Sequence, residues 1–183
     1  MPGVPRRDTS RVYYLTAPAV VKQLDAWCVT VGRARTAAGA AYPPDERRHP
    51  HSYRDVSGAG RTLHEYQIVY IAEGAGVFEE DDAEPRAVEA GSCLLLRPGR
   101  WHRYRPLPEV GWSEYWVGVR GDAFVRAVRT LGLSDRSAVV PVGEPEFVTD
   151  VFLRLLDLAA VHDLVSHVEM IAESLRLIAR LAR

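Results

Sequence analysis

The chain has almost no lysine. Lys22 is the one lysine among 183 residues, and the rest of the positive charge is arginine. Basic and acidic residues nearly cancel, 23 against 24, giving a formal net charge of −1. A free-standing nucleic-acid binder draws most of its affinity from neutralising phosphates and carries a basic excess to do so. This chain lacks that excess, so direct DNA binding by these residues is not expected. Cysteine is nearly as scarce. Cys28 and Cys93 lie far apart, without metal-ligand spacing, and each sits in an apolar run. That excludes a disulfide framework or a cysteine-based zinc site and predicts two small buried residues. Long hydrophobic runs are missing too. No stretch approaches the ~18 apolar residues of a membrane helix, and the first residues carry no apolar signal segment. The expectation is a cytoplasmic protein with no membrane partner.

What is present suits one domain, or one domain and a small appendage, with enough apolar residues for a core: 47% are hydrophobic and 26% charged. No repeat of 20–50 residues is visible. Residues 1–20 hold Pro2, Pro5 and Pro18 and read as a terminal arm. Residues 25–31 read as a strand, and residues 32–52 as irregular, with a surface loop at 43–50. Strand signals then follow closely, at residues 65–72, 77–80, 86–89, 92–97, 101–105 and 112–119. Gly74-Ala75-Gly76, Ala90-Gly91, Pro98-Gly99 and Gly111 punctuate them. Short strands broken by Gly and Pro predict an all-β sandwich or barrel.

After Gly121 the period switches to that of a helix. Residues 123–131 and 145–160 read as helices, the second with Phe147, Val151, Leu155 and Leu158 on one face. In the tail, Leu164, Val168, Ile171, Leu175, Ile178 and Ala182 recur at 4-3-4-3-4 spacing, the seam of a helix that packs on another helix.

One motif carries chemistry. Gly91 is followed by five residues, Arg97-Pro98-Gly99, two more residues and His102. Glycine permits the turn, Pro-Gly resets the chain direction, and His102 and Tyr104 share one strand face. This pattern resembles the second motif of cupin barrels. Cupin enzymes pair it with an upstream motif of two His and a Glu that completes a metal site. Here the corresponding places hold Gly60, Arg61, Thr62 and Leu63, with Gln67 for the Glu, and His64 falls at the wrong spacing. A divalent metal wants three or more protein ligands, so no metal and no other cofactor is expected.

Three blocks narrow the resemblance: residues 60–71 with Gly74-x-Gly76, residues 97–106, and residues 111–121. Together they resemble the sensor domains of AraC-type transcription regulators. That resemblance implies a mainly β chain with C-terminal helices, a jelly-roll cupin barrel at residues 21–121 and a helical dimerisation segment at 122–183. It also implies a helix-turn-helix DNA-binding module lying outside these residues, through which alone DNA would be contacted. Matching the arabinose sensor motif by motif places a ligand pocket at Glu73, His102, Tyr104, Glu114 and Trp116. An aromatic face with donors and acceptors suits a sugar-like effector. The same resemblance implies a homodimer built on Leu164, Val168, Ile171, Leu175 and Ile178, and an N-terminal arm that folds over an occupied pocket. Two other readings stay open: a metal-independent cupin enzyme such as a sugar isomerase, using His102 and Glu114 as acid and base, or a dimerisation scaffold with a vestigial pocket.

Overall fold

A computed structural model describes residues 10–43, 50, 53, 56–81, 83–143 and 145–183. Its elements are β1 (Arg11–Tyr14), α1 (Ala19–Lys22), β2 (Trp27–Thr36), β3 (Arg61–Thr62), β4 (Tyr66–Glu80), β5 (Arg86–Glu89), β6 (Ser92–Leu96), β7 (Trp101–Pro106), β8 (Trp112–Arg120), α2 (Asp122–Thr130), β9 (Val139–Pro141), α3 (Pro145–Val161) and α4 (Leu164–Leu181). Strands come first and helices dominate the end.

All pairings are antiparallel. The larger sheet runs β1-β2-β8-β4-β6-β9, and β3, β7 and β5 build a smaller sheet on the far half of β4. The expected barrel is therefore not closed by hydrogen bonds; two sheets face each other and share one strand. β4 is that strand. Residues 66–74 pair with β8, and residues 75–80 pair with β5 and β7. The sequence predicts two strands with a turn at Gly74, but the chain bends without reversing. A bulge between Ile71 and Glu73 and a positive φ of 90° at Gly74 make the bend. A side chain at Gly74 would also meet the Gly111 carbonyl at 2.1 Å.

Three further differences have tertiary causes. Residues 11–14 of the expected arm form β1, because Arg11–Tyr14 pair with β2; residues 1–9 of that arm lie outside the described residues. The strand expected at 25–31 continues to Thr36, since β8 offers a partner along its whole length. Pairing, not local propensity, sets its end. The short β3 and β9 carry too few residues to show a period. Most of the loop expected at 43–50 lies outside the described residues.

The larger sheet is buried on both faces. On β4, Ile68 and Tyr70 point one way, Val69 and Ile71 the other, and all are 1% exposed or less. Ile68 and Tyr70 join Val31, Cys28, Cys93, Leu95 and Val117 under the helices, where Phe124, Phe152, Leu155 and Ile178 pack. The rings of Tyr70 and Phe152 stack at 6.2 Å. Val69 and Ile71 join Phe78, Leu94, Leu96, Tyr104 and Trp112 between the sheets. Asp163 caps α4, accepting from the Ser166 N–H at 2.7 Å.

The 4-3 seam of the tail divides. Ile171 and Ile178 are buried in their own chain and Leu175 is partly buried against the same core, whereas Leu164 and Val168 stay exposed. No helix among the described residues is long and apolar enough to cross a membrane.

Candidate ligand-binding site

A cavity of about 40 Å³ opens on the inner face of the larger sheet. Strand alternation supplies its walls. Ala34 comes from β2, Gln67 from β4, Tyr104 from β7, and Glu114 and Trp116 from β8, while Tyr14, Tyr42, Tyr53 and Val56 close it from β1 and the β2–β3 connection. Arg61, at the start of β3, enters from one side.

Arg61 organises the polar groups. Its Nε donates to His102 Nε2 at 3.4 Å, and its Nη2 donates to Gln67 Oε1 at 3.2 Å and to the Tyr104 hydroxyl at 3.1 Å. Its Nη1 donates to the Tyr53 carbonyl, and the guanidinium lies over the Tyr53 and Tyr104 rings. Four neutral acceptors thus hold a cation. Among the described residues no carboxylate comes within 4.0 Å of it.

His102 is neutral. Burial, and then the charge of Arg61, push its pKa down to about 3. Nδ1 faces the Arg100 carbonyl at 3.3 Å, so Nδ1 carries the proton and Nε2 accepts from Arg61. Tyr104 is pushed up to about 12, again first by burial.

Glu114 is 4% exposed; it accepts from the Tyr42 hydroxyl at 3.3 Å, and the Trp112 indole N–H is directed at it as well. Burial raises its carboxyl to about 7, although the Tyr42 hydrogen bond and the charge of Arg61 offset part of the effect. Beside it, Trp116 lies flat over Gly32. A Cβ on Gly32 would sit 2.2 Å from the indole, so glycine makes room for the ring. The indole N–H donates to Thr30 Oγ1 at 3.3 Å. Behind the cavity, the Tyr53 hydroxyl donates to Glu65, which Arg120 pairs at 2.9 Å.

The family model of the AraC-like ligand binding domain matches residues 43–181, most of the chain, spanning the elements from β3 to α4. The chain belongs to that family. No curated protein matches it in sequence. Among solved structures, it is similar to a Cupin 2 conserved barrel domain protein from Salinispora arenicola CNS-205, at 22% identity over 67% of this chain and 85% of that one, TM-score 0.38. A cupin protein from Bacteroides fragilis matches at 18% identity over 66% and 83%, TM-score 0.40. Oxalate decarboxylase of Bacillus subtilis matches at 15% identity over 55% of this chain, TM-score 0.38, and the chain spans only 23% of that enzyme.

In this AraC-like domain, four of the five expected pocket residues converge. Tyr104, Glu114 and Trp116 line the cavity, and His102 stands behind Arg61 with its ring stacked 6.3 Å from that of Tyr104. Glu73 does not join them. Its side chain is 60% exposed, near Arg35 at 3.8 Å and accepting from Ser113 at 3.2 Å. The bulge explains the difference: an extra residue between Ile71 and Glu73 flips the alternation that put Gln67, Val69 and Ile71 inside.

Arg61, Gln67, Tyr42 and Tyr53 are absent from the expected set. Arg61 and Gln67 occupy the window where the cupin resemblance places metal ligands, and that was their only signal; Arg61 donates to Gln67 and to His102. Tyr42 and Tyr53 come from aperiodic chain. Among the described residues, no three His, Cys, Asp or Glu side chains cluster as a metal site would need. Arg103 and Arg105 are taken up by Glu79, at 2.5 and 2.7 Å, on the outer face.

Proposed function

We propose that the chain is the ligand-sensing and dimerising domain of a transcription regulator. It takes up a small polar molecule, sugar-like in the first instance, and reaches DNA only through a separate helix-turn-helix module. The observation that carries this reading is the cavity itself: an indole face, four tyrosines and polar groups of both signs converge on one concave space. Family membership supports it.

The free space of about 40 Å³ holds on the order of three waters. A sugar therefore enters by displacing the Tyr42 and Tyr53 side chains. Those rings are also the cavity's outlet to the rest of the fold, since Tyr53 leads to Glu65 and Arg120 at the end of β8, beside α2. A ligand that favours the displaced arrangement shifts the population toward it. Both ring nitrogens of His102 are engaged, so His102 is not free to serve as the acid–base partner of Glu114.

The dimer reading moves along α4. Leu153, Val161, Leu164, Val165 and Val168 form an exposed apolar patch where α3 ends and α4 begins. Val161 closes α3, and Leu164, Val165 and Val168 stand on the first turns of α4, with Leu164 and Val168 at i, i+4 spacing. A two-fold contact between copies through this face would bury it.

A thermal-shift panel of sugars and other small polar metabolites tests the sensor, because a ligand of the native state raises its stability by mass action. A rise in melting temperature with at least one compound, lost in Trp116→Ala, is expected. No shift across the panel would defeat the sensor reading. Sedimentation at two concentrations tests the dimer, and a strictly monomeric chain would defeat that part.

A further inference from the structure

Arg61 and Glu114 are both wall residues of one small cavity, yet they do not pair with each other. Among the described residues the guanidinium meets only neutral acceptors, and the carboxyl meets only neutral donors, the Tyr42 hydroxyl and the Trp112 indole N–H directed at it. Charges held away from water are costly unless compensated. A neutral sugar in this cavity could hydrogen-bond both groups through its hydroxyls but would bring an opposite charge to neither. An anionic ligand would satisfy Arg61 and repel Glu114. A cationic one would do the reverse.

We propose that the cavity is built for a zwitterion of the amino-acid type, with its carboxylate on Arg61 and its ammonium on Glu114.

The donor geometry agrees. A guanidinium has five N–H groups, and four of them are used, on His102, Tyr53, Gln67 and Tyr104. The fifth, on Nη1, is left for a ligand oxygen, and the Tyr104 hydroxyl, which accepts from Arg61, keeps its own proton to donate. The Tyr42 ring and the Trp116 indole line the cavity together with Glu114, an arrangement of aromatic faces and a carboxylate that suits an ammonium group. The carboxyl of Glu114, raised by burial, is readily ionised when a cation arrives beside it. Size points the same way, because a small amino acid needs less displacement of Tyr42 and Tyr53 than a pyranose does.

This inference rests on the sensor reading and narrows its ligand. Calorimetric titration of the full 183-residue chain with L-serine and L-alanine, against propionate, isopropylamine, D-glucose and L-arabinose, separates the two. The expected result is binding of at least one amino acid, with propionate and isopropylamine weaker by about 10- to 100-fold, the worth of one charge-assisted contact. Glu114→Gln, which keeps the shape, and Arg61→Gln should each weaken the amino acid by a similar factor. Arg61→Lys retains the charge and serves if Arg61→Gln does not fold. Unchanged amino-acid affinity in folded Glu114→Gln overturns the proposal. So does a sugar that binds while every amino acid is inert, although the sensor reading would then stand. If no probe binds, this proposal falls, and the wider thermal-shift panel decides the sensor reading.

Discussion

Glu114 and His102 set opposite pH limbs on the stability of the fold. The Glu114 carboxyl is raised by burial from 4.5 to about 7. The folded state holds its proton more tightly than the unfolded chain does, so this group favours folding below about pH 4.5, and the benefit drains away as pH rises through about 7. The full swing is about 3 kcal/mol. His102 is lowered from 6.5 to about 3. The unfolded chain takes up a proton that the native imidazole refuses, so stability is complete above about pH 6.5 and lost as pH falls toward 3. Glu114→Gln removes the alkaline limb alone. Urea denaturation at pH 5 and pH 8 should show the variant gaining on wild type with rising pH, by about 2–3 kcal/mol at the upper end. A pH-independent difference would mean that Glu114 is better solvated than its 4% exposure implies. At this scale the sequence was informative wherever a side chain was unusual for its place, as a carboxylate among Trp112, Tyr115 and Trp116 is. Beyond its place in the cupin ligand window it gave Arg61 no role, because an arginine beside a strand reads as solvated until the fold brings Gln67, His102 and Tyr104 around it.

Among the elements, β2 and β8 depend on each other at one point of contact. The Trp116 indole rests on Gly32, across the ladder pair formed by the same two residues. Gly32→Ala puts a methyl group 2.2 Å from that ring. The backbone tolerates alanine there, so the expected cost is that of overpacking, about 1–3 kcal/mol, together with loss of any ligand shift because Trp116 leaves the cavity wall. Chemical denaturation and the thermal-shift panel read the two effects separately. Element boundaries were legible where a turn residue closed them, as Gly91 does between β5 and β6. They were misread where the punctuation marks a bend. Gly74-Ala75-Gly76 resembles a hairpin turn, and only the pairing of β4 with partners on both sides of it reveals one continuous strand.

For the molecule as a whole, the tail helix shows why a periodic seam cannot name its own partner. The 4-3 spacing identifies an apolar face, but the barrel takes the C-terminal part of it and leaves the N-terminal part bare. The two parts should respond differently to substitution. Val165→Glu combined with Val168→Glu removes apolar surface that is already exposed, so monomer stability should change by less than about 0.5 kcal/mol per site while self-association in sedimentation is abolished. Ile178→Ala should cost about 2–5 kcal/mol of folding stability through a cavity in the core. If the double variant associates as wild type does, the contact between copies lies elsewhere.

Because β4 runs through both sheets, they cannot separate like the halves of a shell. Parting them would break a covalent strand or strip its ladders from β8, β6, β7 and β5 together. Among the described residues, the Tyr14, Tyr42 and Tyr53 rings that close the cavity are the side chains a ligand would have to move. The rate at which a ligand arrives and leaves becomes a matter of side-chain rotation there, and native-state hydrogen exchange should find the amides of β4 among the last to open.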